Sequence, residues 1–226
     1  MTGILAPRLD VLQREQRRLW RELHPATEMG FVLYGGTAVA LRLGHRTSVD
    51  FDFFRSRPLD RSGIEAALPF TATAMVLQDE PDAFTILVGG EEPDTAPVKV
   101  SFFGGIGFGR IGIPDLTDDG VLRIASLDDL MATKLEVMLQ RVEAKDYRDV
   151  AAMVRAGATL EKGLAAAGAL YGRAFQPSES LKALSYFQGG DLANLSEDDR
   201  LCLLEAVKAV RDLPEVTIAS HDLAAD

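Results

Sequence analysis

Two hydrophobic periodicities divide the chain. Up to about residue 125 most apolar residues fall in short runs or alternate with polar ones; beyond it they recur every three or four positions. Leu9, Leu12, Leu19, Trp20 and Leu23 are spaced as on one helix face, so a helix is predicted over 9–23, stopped by Pro25. Phe31–Tyr34 is a short β-type run broken by Gly35-Gly36, and Thr37 is placed to N-cap a helix that ends at Gly44. Ser48–Phe54 alternates with period two and predicts a half-buried strand with Val49, Phe51 and Phe53 towards the core. A helix over 59–68 and strands over 71–77, 84–88, 98–103 and 121–124 follow, with a loop at 89–97 and a glycine-rich segment at 104–112.

Ser126 and Ser196 each precede an acidic residue by three positions, the signature of a helix start. Helices are predicted near 127–142, 145–156, 160–174, 178–187 and 196–212, with a loosely held tail after Pro214. The pattern therefore predicts an α+β chain: a mixed β-sheet core with flanking helices over 1–125, then a helical domain over 126–226.

Composition narrows the function classes. With 47% apolar and 26% charged residues over 226 positions, the chain has enough apolar surface to fold. No apolar run reaches the roughly 18 residues of a membrane span. Charges from Arg8 to Arg18 interrupt any secretory h-region, so neither a membrane nor export is expected. The single cysteine, Cys202, excludes an intrachain disulfide and a cysteine-built zinc site, and His24, His45 and His221 have no metal spacing. These counts fit a reducing cytoplasm. The net charge of −10 argues against a generally basic nucleic-acid coat, yet leaves room for an enzyme with one local basic patch. Arg42, Arg46, Arg55, Arg57, Arg141 and Arg148 are the candidates for such a patch.

The candidate chemistry starts at Gly35-Gly36-Thr37. A strand, two glycines and a helix start bring free backbone N–H groups and the positive helix end to one point, which suits phosphate; a tight turn alone would look the same. Asp50 and Asp52 stand two apart on a strand, so both carboxylates project to one face together with Ser48 and Phe54. Such a pair is costly without a cation, and Mg²⁺ (or Mn²⁺) takes carboxylate and phosphate oxygens together. Lys134 falls inside the apolar stripe Leu127, Leu130, Met131, Met138, Val142; it either snorkels out or points into a polar cavity. Asp146 and Asp149 share a helix ridge.

The segment Gly35–Phe54, Gly-Gly-Thr-Ala-Val-Ala-Leu-Arg-Leu-Gly-His-Arg-Thr-Ser-Val-Asp-Phe-Asp-Phe-Phe, resembles the polymerase-β-type nucleotidyltransferases. It is more closely similar to the AbiEii/AbiGii toxin nucleotidyltransferase family. Lys134 followed by Lys145-Asp146-Tyr147-Arg148-Asp149 resembles a second block of that family. The resemblance implies a nucleotidyltransferase-like core and a metal-dependent transfer of a nucleotide from an NTP to a hydroxyl. RNA, tRNA ends in particular, is one acceptor it implies; a protein hydroxyl is another. A nearby-encoded antitoxin is the implied partner. Asp50 and Asp52 would hold the metal, Gly35, Gly36, Thr37, Arg46 and Ser48 the nucleotide, and Lys134 would offset charge on the phosphates, with Asp146 and Asp149 in the catalytic set. One position departs from the pattern. The third acidic residue of such enzymes would fall at Ser101 in Val98–Phe103, with Lys99 on the same face. A hydroxyl is a poor Mg²⁺ ligand beside a carboxylate, so a catalytically degenerate nucleotide- or RNA-binding module is the rival expectation.

Overall fold

The computed structural model describes residues 3–89 and 96–224. Most of the loop expected at 89–97 lies outside them. The described residues form two compact units: residues up to Gly109, Ile113–Ala125 and the stretch from Ser220 make the first, Arg110–Gly112 and Ser126–Ala219 the second.

The first unit is an eight-stranded mixed sheet. Its strands are β1 (Ile4–Leu5), β2 (Val32–Tyr34), β3 (Asp50–Phe54), β4 (Met75–Glu80), β5 (Ala83–Val88), β6 (Val98–Phe103), β7 (Asp115–Thr117) and β8 (Arg123–Ile124), in the order β1-β7-β8-β2-β3-β6-β5-β4. β3 runs antiparallel to β2 and parallel to β6. One face carries the core: Phe53, Phe102 and Phe84 stand side by side on three strands, with Phe31 edge-on to Phe102 at 5.3 Å. Period-two alternation then turns Asp50 and Asp52 to the other face. Val49, just before β3, is exposed rather than in the core, because the alternating strand begins only at Asp50.

The helices of this unit are α1 (Arg14–Leu19), α2 (His24–Glu28), α3 (Gly35–Leu43) and α4 (Arg61–Ala67). The expected 9–23 helix is broken into pieces. Gln13 is extended, its N–H is taken by the Gln16 side chain at 3.0 Å, and 3₁₀ turns flank α1. Pro25 does not stop a helix; it stands in the first turn of α2, where a missing N–H costs nothing. β4 starts at Met75 rather than Thr71, because Pro69–Thr73 coils into a 3₁₀ turn. The short strands β1 and β7 carry too few residues to show a period and were not expected.

The tail is tied down within this unit. Ser56 Oγ donates to the His221 carbonyl at 3.1 Å and accepts from the Leu223 N–H at 2.9 Å, and Leu223 is fully buried.

The second unit is helical: α5 (Leu127–Gln140), α6 (Ala144–Arg155), α7 (Leu160–Tyr171), α8 (Pro177–Ala183) and α9 (Glu197–Ala209). Ser126 and Ser196 cap α5 and α9 by accepting from the N–H groups of Asp129 and Asp199. The Asp129 carboxylate then accepts from the N–H groups of Ile111 and Gly112 at 2.7 and 3.0 Å, which is why Arg110–Gly112 belongs to this unit. Burial pushes the Asp129 carboxyl above its ordinary range despite those bonds. No helix among the described residues is long and apolar enough to cross a membrane.

Candidate active site

The first unit gathers seven of the expected residues around the start of α3. Gly35 closes β2 with φ +73°, a left-handed conformation that glycine adopts without strain. A Cβ there would lie 2.6 Å from Asp52 Oδ2, so the turn and this carboxylate are pressed together. Gly36 lies under the Arg46 guanidinium and 3.3 Å (from the position of a Cβ) from Ser48 Oγ. Arg46 Nη1 donates to the Thr47 carbonyl at 3.0 Å. Thr37 is not the cap: α3 begins at Gly35, and Thr37 is already in its first turn. Its hydroxyl contacts both the Asp50 carbonyl and Ser48 Oγ, the latter at 2.9 Å. A carbonyl can only accept, so Thr37 donates to Asp50 and accepts from Ser48. The α3 N-terminus is thereby tied to the strand that carries the carboxylates.

The parallel register of β3 and β6 sets Asp50 beside Lys99 and Asp52 beside Ser101. Ser101 is buried, on the carboxylate face, where a third acid would stand. Lys99 Nζ reaches Asp50 Oδ2 at 3.2 Å. Lys99 was not among the expected site residues; its signal was its place two positions from Ser101 on an alternating strand. Beside Asp52, on the side away from the glycine turn, Phe54 stacks on Tyr34 at 5.0 Å and meets Phe103 and Phe108 edge-on at 5.2 and 6.4 Å. The three phenylalanines are half-buried.

In the helical unit Lys134, Asp146 and Asp149 come together. Lys134 does not snorkel to the surface. It is 5% exposed, and its Nζ bonds Asp146 Oδ1 and Asp149 Oδ2, each at 2.7 Å, with both aspartates fully buried. Arg141 Nε adds a bond to Asp146 Oδ2 at 2.9 Å. Burial alone would raise the Asp146 carboxyl; the Arg141 hydrogen bonds and the Lys134 charge outweigh it and hold the carboxyl below its ordinary range. Several arginines expected at a basic patch are engaged internally. Arg42 bonds the carbonyls of Ala125 and Ile124 and pairs with Asp115 at 2.8 Å. Arg55 lies over the Phe31 ring and bonds local carbonyls, and Arg148 bonds the Asn194 carbonyl.

The family model of the nucleotidyl transferase AbiEii toxin, of the type IV toxin–antitoxin system, matches residues 18–216. The chain belongs to the AbiEii nucleotidyltransferase toxin family. It is therefore a nucleotidyltransferase. An uncharacterized protein of Aquifex aeolicus is 30% identical over 150 residues, covering 64% of this chain and 68% of that one. Two solved structures share the fold at low identity. A protein of H. pylori assigned as a nucleotidyltransferase superposes with a TM-score of 0.57 at 16% identity, over 86% of this chain and 92% of that one. MenT4, a nucleotidyltransferase toxin of Mycobacterium tuberculosis, gives 0.58 at 12% identity, over 87% and 83%. The α+β fold with its nucleotidyltransferase core stands on these likenesses.

The glycine turn yields a first prediction for this AbiEii chain. Gly35→Ala forces a side chain into a left-handed position and against Asp52. It should cost roughly 1–3 kcal/mol of stability and lower nucleotide transfer further than the stability loss explains. Thermal melts beside transfer rates on the same preparation separate the two effects.

Proposed function

We propose that this protein transfers a nucleotide from an NTP to a hydroxyl of an RNA end, tRNA being the first candidate, with Mg²⁺ or Mn²⁺ held by Asp50 and Asp52. The observation that carries the reading is the closeness of Asp52 to the left-handed glycine that opens α3: the carboxylates and the first turn of a helix meet at one place. Among the described residues no cluster of three or more His, Cys, Asp or Glu could hold a metal alone. Two carboxylates suffice for Mg²⁺ where substrate phosphates and water complete the shell, so the donor set fits a metal that is shared with the triphosphate. The bound ion would neutralise charge on the phosphates.

The chain's own residues do the rest. The N–H groups at Gly35, Gly36 and Thr37 receive phosphate oxygens, and Arg46, with Ser48 beside it, adds positive charge over Gly36. The acceptor oxygen bonds the α-phosphorus as the bond to the β-phosphate oxygen breaks, pyrophosphate leaves, and the acceptor proton passes to solvent or to Asp52. Positioning and charge neutralisation supply most of the acceleration in such chemistry. Half-buried Phe54, Phe103 and Phe108 beside Asp52 favour an acceptor that carries a base, since bases stack on aromatic rings at little cost in sequence preference. That supports RNA over a protein hydroxyl, and with it a cytoplasmic setting. For Lys134, two of three N–H groups already bond carboxylates, which favours holding α5 to α6, with Asp146 and Asp149, over direct charge contact with phosphate. The family also suggests an antitoxin partner, tested by whether a co-expressed neighbouring gene relieves any growth arrest.

The test is a transfer assay with each labelled NTP, Mg²⁺ or Mn²⁺, and total RNA or cell protein, with Asp50→Ala/Asp52→Ala as control. Label in RNA that vanishes in the control supports the reading. Label in protein moves the acceptor to a side-chain hydroxyl. Absence of transfer with retained NTP binding favours the degenerate binding module, which the serine at position 101 favours. Under the preferred reading Ser101→Asp restores a base beside Asp52 and should raise the transfer rate by roughly 10- to 100-fold.

A further inference from the structure

We propose that Lys99 is a resident counter-ion of Asp50, so that the metal enters only together with the nucleotide. The inference rests on the reading of Asp50 and Asp52 as metal ligands and adds an order of binding to it. Lys99 is the register neighbour of Asp50 on the adjacent parallel strand, and its Nζ lies 3.2 Å from Asp50 Oδ2. Both side chains are partly open to solvent, at 38% and 30%, so the ammonium can leave the carboxylate without unpacking the sheet. Ser101, one strand period on, contributes no charge. With the Arg46 guanidinium over the neighbouring Gly36, the charges of Asp50, Asp52, Lys99 and Arg46 come close to cancelling.

A dication gains little from that sum, because Lys99 repels it while occupying one of its two ligands. A metal–triphosphate complex meets the same residues differently. It is an anion, and the ammonium that blocked the metal alone attracts the phosphates that accompany it. Once parted from Asp50, Lys99 would stand beside the incoming phosphates. Lys99 is thus a positioning and specificity residue that selects the metal–nucleotide complex over the free metal.

The experiment is Mn²⁺ binding to the full chain by electron paramagnetic resonance or calorimetry, without nucleotide and with a non-hydrolysable NTP. The variants are Lys99→Met, Lys99→Gln and the charge-retaining Lys99→Arg. Removing one positive charge from about 5 Å of a dication should tighten binding of Mn²⁺ alone by roughly tenfold. Lys99→Met and Lys99→Gln should show that gain, should bind the Mn²⁺–NTP complex more weakly, and should raise KM for NTP more than they lower kcat. Lys99→Arg should behave as the parent chain. Unchanged binding of Mn²⁺ alone in both neutral variants overturns the counter-ion role. Failure of Mn²⁺ with NTP to bind the parent chain in a way that Asp52→Asn abolishes overturns the metal-site reading itself, and is distinguished because it appears before any Lys99 variant is compared.

Discussion

Asn in place of Asp50 or Asp52 is expected to lower nucleotide transfer by roughly 10³-fold, from the weakened hold on the metal that would neutralise phosphate charge. The fold should hardly notice. The two carboxylates project from one face of β3, away from the phenylalanine core, and repel one another. The pair Asp50 makes with Lys99 is partly exposed and worth about 0–1 kcal/mol. Neither asparagine should shift the thermal midpoint by more than a few degrees, and Asp52→Asn should be the more damaging to activity, because Asp52 is the carboxylate against Gly35. Single-turnover transfer rates set beside melting curves check this. A loss of activity matched by a loss of fold would remove the catalytic role.

Lys134→Ala should have the opposite signature: a large loss of stability in the helical unit. The change leaves Asp146 and Asp149 buried without the ammonium that joins them, and breaking a buried ion pair from one side costs about 3–5 kcal/mol. The thermal midpoint should fall by roughly 10 °C or more. Acid stability carries a second readout. The Asp146 carboxyl is held below its ordinary range in the folded chain, so the unfolded chain binds the proton more readily. Its contribution is complete above the ordinary carboxylate pKa and is lost as pH falls through the lowered folded value. The parent chain should therefore lose stability on acidification below about pH 4, and Lys134→Ala should lose less over that interval because part of the depression is gone. Denaturation midpoints from pH 7 downward measure both effects. A neutral outcome for Lys134→Ala would show that the ion cluster does not hold the helical unit together.

Much of the site was legible from local pattern. Period two on Asp50–Phe54 placed both carboxylates on one face, since side chains alternate on any strand whatever surrounds it. Two glycines between a β-type run and a helix marked the start of α3, and serines before acidic turns marked α5 and α9, because caps act within a few residues of chain. The cap position expected at Thr37 falls three residues earlier, at Tyr34. Glycine could enter the helix at positive φ, and the threonine hydroxyl went instead to Asp50 and Ser48, which lie near it only once the sheet has formed. The broken N-terminal helix and the turn at Pro69–Thr73 were missed for a related reason: side-chain bonds to backbone compete with helix and strand locally, and packing decides between them.

The sequence by itself determined the family, the two periodicities that separate a sheet-forming half from a helical one, and the common face of Asp50 and Asp52. Those follow from residue type and spacing along one strand or one helix. Tertiary structure alone decided which residue stands beside each carboxylate. Register across the parallel pair β3–β6 set Lys99 against Asp50 and Ser101 against Asp52, and the packing of α5 with α6 turned Lys134 inward between two aspartates. Leu223 likewise gave no pattern of its own and is buried because Ser56 receives it. Each of these joins segments far apart in the chain, and no local preference specifies which partner a strand or a charge will meet until burial makes one pairing cheaper than the rest.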